Sequence, residues 1–563
     1  MKKIILTLAL VATTIGFAQR LESKIPANAQ AVISVNGENL LELISLTEFN
    51  NNALAKEIIK EVGRKNPDFN SLADFGFNLK SKAFYFYQPT DSISYHNFII
   101  KLKDRNAFEK VLDSSTSSKI VKTGDVNSIL EYDTSIKWNN NTLLFTVGDR
   151  SYSYFDKHKE RFMKEAESEE EDLYILKRRI VGEWITNYTA KLFNYNGASV
   201  LANKSYLKSI DKNAAASAWV NSYGELMSGM MGGLGYLAGA GGLNMNYNNL
   251  GFGTMSGNLY FEKDAARLTY NMEVNDRWKK AIKKMYKSKI DQSFFNYFNE
   301  NEIIGYTSIA MNTEAVLDEY PNLISDIYGG MLPDFKDEME VSSELFSILL
   351  DEEAIGDLVT GNMLFILNDL GEKEVTYSTY EYDDDYNETK VEKTKMEMSP
   401  EFTFMIGSEN ETLLFKLIKL GVKHKALEQN SNYYKMNLPN KTPFDLYAVI
   451  KDEIVFITSS EKQIANIVSA NPISVLGDHK KMIRKNAAVM YLDVKKLLAK
   501  IPAEELRKDE KKMVSFATDN LNNVYYKSGK MKGNNMVSEF VLETANNREN
   551  SLKVLLDFID FMM

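Results

Sequence analysis

Apolar residues along this chain switch repeatedly between two spacings. Short runs that alternate, or that are rich in β-branched and aromatic side chains, predict strands. Each is followed by a stretch with apolar positions at i, i+3 and i+4, which predicts an amphipathic helix. AVISVNGENLLELI (residues 31–44) carries the unit: a strand, then Asn36 as a helix cap, then a stripe of Leu40, Leu41 and Ile44. LDVKKLLAKI (492–501) carries it again, with Asp493 as the cap and Leu497, Leu498 and Ile501 as the stripe. Between the helices lie hairpins such as KAFYFYQPTDSISYHNFIIKLK (82–103), with Pro89, Thr90 and Asp91 in the turn. Each half of the chain reads β-α-β-β-α-β-β-α and then β-α-β-β-α. That order predicts an α+β fold with antiparallel or mixed sheets and helices packed on one face.

The units recur in order. SVL at 199–201 and KNAA at 212–215 return as SVL at 474–476 and KNAA at 485–488. Residues 31–44 resemble YTSIAMNTEAVLDEY at 306–320, and FIIKLKDRNAFEKVL at 98–112 resembles FTFMIGSENETLLFKLI at 402–418. A tandem duplication follows as the expectation, with a first repeat half over 19–291 and a second over 292–563. A charged helical insertion over about 156–195 marks the first half. A polar hairpin extension over about 376–400 marks the second. Asp383, Asp384 and Asp385 in that extension are consecutive and no glycine follows, unlike a calcium loop with its spaced oxygen ligands. They read as a solvated hairpin tip.

The first eighteen residues break the pattern. Lys2 and Lys3 precede an apolar run from Ile4 to Phe17, and Gly16-Phe17-Ala18 is a small-x-small cleavage site. That is a secretory signal peptide over 1–18. No later apolar run is long enough to span a bilayer, so the expectation is a soluble exported chain, periplasmic or extracellular. Cysteine is absent, which excludes disulfides and lipidation at a cysteine. The formal charge of −10 becomes two charges more negative when Lys2 and Lys3 leave. Such a chain has no general attraction to nucleic acid or anionic membranes.

The opening of the mature chain, KIPANAQAVISVNGENLLEL, resembles an uncharacterised family of exported envelope proteins and lipoproteins of Bacteroidota, whose members begin Ile-Pro-x-x-Ala before a short strand and a helix. Ile25, Pro26 and Ala29 match that opening. The resemblance implies an envelope location and brings no activity or catalytic residue. Many members look like lipoproteins, and the missing cysteine departs from them.

Catalytic chemistry is thinly represented. The four histidines, His96, His158, His424 and His479, form no zinc-binding pair, and His158 and His424 read as exposed. There is no cysteine nucleophile and no G-x-S-x-G elbow. No catalytic, cofactor-binding or metal-binding residue is therefore assigned. Carboxylates are abundant, so a carboxylate-dependent hydrolase of envelope glycan or peptide stays open. Residues 233–238 read G-x-G-x-x-A, but they follow a helix and lead into asparagines, which is the wrong context for a dinucleotide loop. The surrounding Gly/Met-rich loop, 227–249, is instead a flexible connection or an apolar contact site. Met227, Met230, Met231, Leu234, Tyr236 and Leu237 are the candidate contact residues. The leading expectation is a non-enzymatic binding or scaffolding module for an envelope protein or other macromolecule. A hydrolase and a carrier of an apolar ligand are the alternatives.

Overall fold

The computed structural model describes residues 20–563 except 64–68, 113–115, 117–118, 165–172, 228–250, 287–288, 383–385, 387, 439–441, 470–476, 505, 530 and 546–547. The signal segment, the Asp383–Asp385 cluster and most of the Gly/Met-rich loop lie outside the described residues. The fold is α+β, as the two periodicities predict. The chain forms two compact units. The first comprises Met1–Asn275, Ser325–Met339 and Arg548–Met563; the second comprises Asp276–Ile324 and Glu340–Asn547.

In the first unit the strands are β1 (Ala31–Asn36), β2 (Lys82–Pro89), β3 (Ile93–Lys101), β4 (Val121–Thr123), β5 (Val126–Glu131), β6 (Thr134–Trp138), β7 (Thr142–Arg150), β8 (Ala216–Val220), β9 (Phe252–Phe261) and β10 (Ala265–Val274). They pair antiparallel in the order β4-β5-β6-β7-β3-β2-β1-β8-β9-β10. In the second unit they are β11 (Gly305–Ala310), β12 (Asn362–Tyr382), β13 (Glu388–Gly407), β14 (Leu427–Asn430), β15 (Tyr433–Met436), β16 (Leu446–Lys451), β17 (Ile454–Thr458), β18 (Ala488–Asp493), β19 (Leu521–Ser528) and β20 (Asn535–Thr544). Their antiparallel order is β14-β15-β16-β17-β13-β12-β11-β18-β19-β20, the same order shifted by ten. The two KNAA segments lead into β8 and β18, which occupy the same place in that order.

Four strands stand where sequence periodicity predicts two. The missed pairs are β4–β5 and β14–β15. β4 is three residues long and wholly exposed, and β14 has no buried residue, so neither carries an apolar alternation to read. The helix caps divide. Asp493 accepts from the Lys496 backbone N–H at 2.9 Å, as expected of a cap. Asn36 sits at the cap position, but its side chain makes no cap bond and donates instead to the Lys212 carbonyl at 3.1 Å.

Alternation places two sets of side chains on opposite faces of the first sheet. Val32, Phe84, Phe86, Ile99, Leu144 and Trp219 build one buried cluster. Ala83, Ile100, Leu143 and Phe145 build another with Phe75, Phe77, Phe108 and Trp138. Helices close this second cluster. Ala53–Gly63 contributes Ala55, Ile58 and Val62, and Arg105–Val111 contributes Phe108. The Phe108 and Trp138 rings meet edge to face, with centroids 5.5 Å apart.

Candidate functional site

In the second unit one sheet face is closed in the same manner. Tyr306, Leu364, Ile366, Met405, Phe456 and Val489 form a buried cluster with Phe294, Phe298, Ile464 and Ile483. The opposite face differs. Met363 pairs with Ile406, Phe365 with Phe404, Phe404 with Ile457, and Ile406 with Val455. These six apolar residues form one patch across β12, β13 and β17, and none is buried. Phe365 is 37% exposed.

Three helices in the corresponding intervals of the chain are also open. Lys336–Leu349 and Glu352–Leu358, between β11 and β12, bury no residue. Neither does Glu411–Lys423, between β13 and β14. Its start is well fixed: Asn410 accepts from the Leu413 N–H at 3.1 Å, and the Glu409 and Asn410 N–H groups donate to the Asp357 carbonyl. The helix carries Leu413, Leu414, Phe415, Leu417, Ile418, Leu420 and Val422. Leu417 and Leu420 are 50% and 52% exposed. Covering the remaining half of each such side chain would contribute about 1 kcal/mol, so this surface favours being covered. Lys416, Lys419 and Lys423 border it, and no partner is found for them among the described residues.

The first unit contains a groove of about 760 Å³ between the β5–β6 turn and the helix Leu173–Phe193. Tyr132 forms its wall in a left-handed conformation, φ 56°, with the Arg178 guanidinium 3.6 Å above its ring. Two carboxylates line the groove, Glu131 and Glu183. Lys119 lies 2.9 Å from the first, and Arg179 lies 3.2 Å from the second. Each carboxylate is thus tied to a neighbouring cation, and the two do not converge on one another. The groove does not support the hydrolase alternative.

The histidines give no catalytic constellation among the described residues. His96 is partly buried with its Nδ1 2.8 Å from the Tyr85 hydroxyl. His479 packs against Tyr306 and Tyr491, and burial pushes its pKa down. His424 is exposed, as expected. His158 is half-buried, because the Tyr154 ring lies 4.5 Å away and shields it. Among the described residues no group of three or more His, Asp or Glu could hold a metal ion. Of the residues singled out in the Gly/Met-rich loop, Met227 is half-buried at the end of a short helix. Met230, Met231, Leu234, Tyr236 and Leu237 lie outside the described residues.

No family model matches the chain, and no curated protein matches it. Among solved structures, three crystal forms of TP0453 are similar over part of the chain. Form IV is 11% identical with a TM-score of 0.25, covering 45% of this chain and 79% of that one. Form I is 8% identical with a TM-score of 0.25, covering 46% and 81%. Form III is 11% identical with a TM-score of 0.25, covering 49% and 89%. Among the described residues no helix is long and apolar enough to cross a membrane.

Proposed function

We propose that this protein is a non-enzymatic binding or scaffolding module of the cell envelope, built as a tandem duplicate whose second copy presents an open apolar surface to a partner. The observation that carries the reading is the helix Glu411–Lys423, with seven large apolar residues and none buried. The signal-like leader and the Ile25-Pro26-x-x-Ala29 opening support the envelope location. The shared strand order of the two units supports the duplication. The Gly/Met-rich loop, with Met227, Met230, Met231, Leu234, Tyr236 and Leu237, is proposed as a second contact element.

Replacing Leu413, Leu417 and Leu420 together by Gln tests this. Thermal unfolding should be nearly unchanged, while photo-crosslinking from a probe at Phe415 in the native envelope should lose its adducts. A clear fall in stability would make the stripe part of the core and end the reading. A second reading, carriage of an apolar ligand, is favoured by the Met363, Phe365, Phe404 and Ile406 patch. A fluorescent fatty acid should then bind with saturation and be displaced by oleate. A linear, non-saturating titration would dismiss it.

A further inference from the structure

Two helices of the second unit carry exposed apolar stripes, and their borders have opposite charge. On residues 340–349, Val341, Leu345, Ile348 and Leu349 are between 56% and 82% exposed. Glu340 and Glu344 flank them and have no partner among the described residues. On Glu411–Lys423 the exposed stripe is Leu413, Leu417 and Leu420, flanked by Lys416, Lys419 and Lys423.

The order of the stripes around each helix matters. Successive residues advance by about 100° around an α-helix. In the direction of that rotation, the first helix presents Glu340 and Glu344, then Ile348, Val341, Leu345 and Leu349. The second presents the three lysines, then Leu420, Leu413 and Leu417. Both helices place charge before apolar in the same rotational sense. When two such helices face each other antiparallel, their charged borders fall on one side of the contact and their apolar stripes on the other. A parallel pairing would separate the charges. The antiparallel arrangement brings Glu340 toward Lys423 and Glu344 toward Lys419, with the apolar stripes in contact alongside them.

We propose that the partner of this surface is a second copy of the chain, joined by antiparallel pairing of residues 340–349 of one copy with Glu411–Lys423 of the other. The inference rests on the binding reading above and names its occupant. One occupant covers both stripes and neutralises both borders. An anionic membrane would attract the lysine border but repel Glu340 and Glu344. Because each copy offers both helices, the contact can be made twice about a two-fold axis.

Sedimentation equilibrium of the mature chain tests the pairing. The wild type should be a dimer at micromolar concentration. Lys416→Glu with Lys419→Glu and Lys423→Glu should weaken the dimer by about tenfold or more, with an unchanged melting temperature at dilutions where both proteins are monomeric. Adding Glu340→Lys and Glu344→Lys to that triple variant should restore dimerisation, which a general loss of solubility or folding would not do. Leu417→Glu with Ile348→Glu should give a monomer that no charge reversal rescues. A wild type that stays monomeric at these concentrations, or a charge reversal that fails to rescue, overturns the pairing. A monomeric wild type that sediments with phosphatidylglycerol vesicles would overturn it while leaving the open surface as a binding site. A glutamine triple variant destabilised even at dilutions where the wild type is monomeric would instead remove the binding reading itself.

Discussion

The helices Arg105–Val111 and Glu411–Lys423 occupy the same place in their units, each leaving the sheet after the third strand, yet their environments are opposite. The shorter one drives Phe108 between Phe77 and Trp138, and Glu109 ties it to the sheet from outside. The longer one has more apolar area and buries none of its side chains fully. Hydrophobic content alone therefore does not decide what becomes core. In the first unit the helix Ala53–Gly63 and the turn Leu72–Phe75 supply the opposing apolar wall. Between β11 and β12 the chain instead holds Thr313–Met331, which buries Leu323, and then Lys336–Leu349 and Glu352–Leu358, which bury nothing. One unit uses its second sheet face for stability and the other leaves that face available.

The contrast is sharpest at Trp138. Trp138→Ala should destabilise the first unit by about 3–5 kcal/mol in urea unfolding, since it opens a cavity in a sealed cluster. A loss below about 1 kcal/mol would mean that this face is no more closed than its counterpart. Next comes Glu109, whose carboxylate accepts from Arg105 at 2.7 Å and from Asn127 and Trp138 at 2.8 Å. Glu109→Ala leaves the indole N–H without its acceptor and should cost about 1–3 kcal/mol.

The same carboxylate gives a pH signature. Burial pushes its pKa up, but the hydrogen bonds from Arg105 and Trp138 outweigh this and hold it below the ordinary carboxyl range. A depressed folded pKa means that the stabilisation is complete above the ordinary carboxyl pKa and is lost as pH falls through the folded one. The stability gap between wild type and Glu109→Gln, measured by urea midpoints, should therefore narrow on acidification. A gap independent of pH would show that the carboxylate's charge contributes nothing. The smallest effect is expected in the second unit. Leu413→Gln, Leu417→Gln and Leu420→Gln should each change unfolding free energy by no more than about 0.5 kcal/mol. A loss near that of Trp138→Ala would erase the comparison.

Much of the fold is legible in the residues, because periodicity reports burial. β1, β2, β3 and their helices follow from the alternation in 31–36 and 82–101, and the cap at Asp493 follows from its place before VKKLL. β4 and β14 do not follow, because an exposed edge strand carries no burial pattern. The open helix left a trace that strand–helix matching overlooks. Its apolar residues cover more than half of the circumference, too much for one buried stripe, and its three lysines all fall on the remaining side. That excess marks a second apolar face, but no single sequence says whether its own chain covers it. Asn36 illustrates another limit: position predicts a cap, while the distant Lys212 carbonyl takes the side chain.

The long hairpin of β12 and β13 continues in register from Leu370↔Pro400 to Tyr382↔Glu388. This two-stranded arm is rich in both lysine and glutamate. Lys393 bridges to Glu381 at 2.6 Å and Lys395 to Glu397 at 2.5 Å, and the Lys395 ammonium lies 5.3 Å from the centre of the Tyr377 ring. An exposed ribbon of this length offers unpaired backbone along its margins, the usual template for aggregation. Any strand that tried to add to it would have to match a dense pattern of both charges or leave them unpaired. The arm is thereby protected from fibril-like stacking in spite of its length.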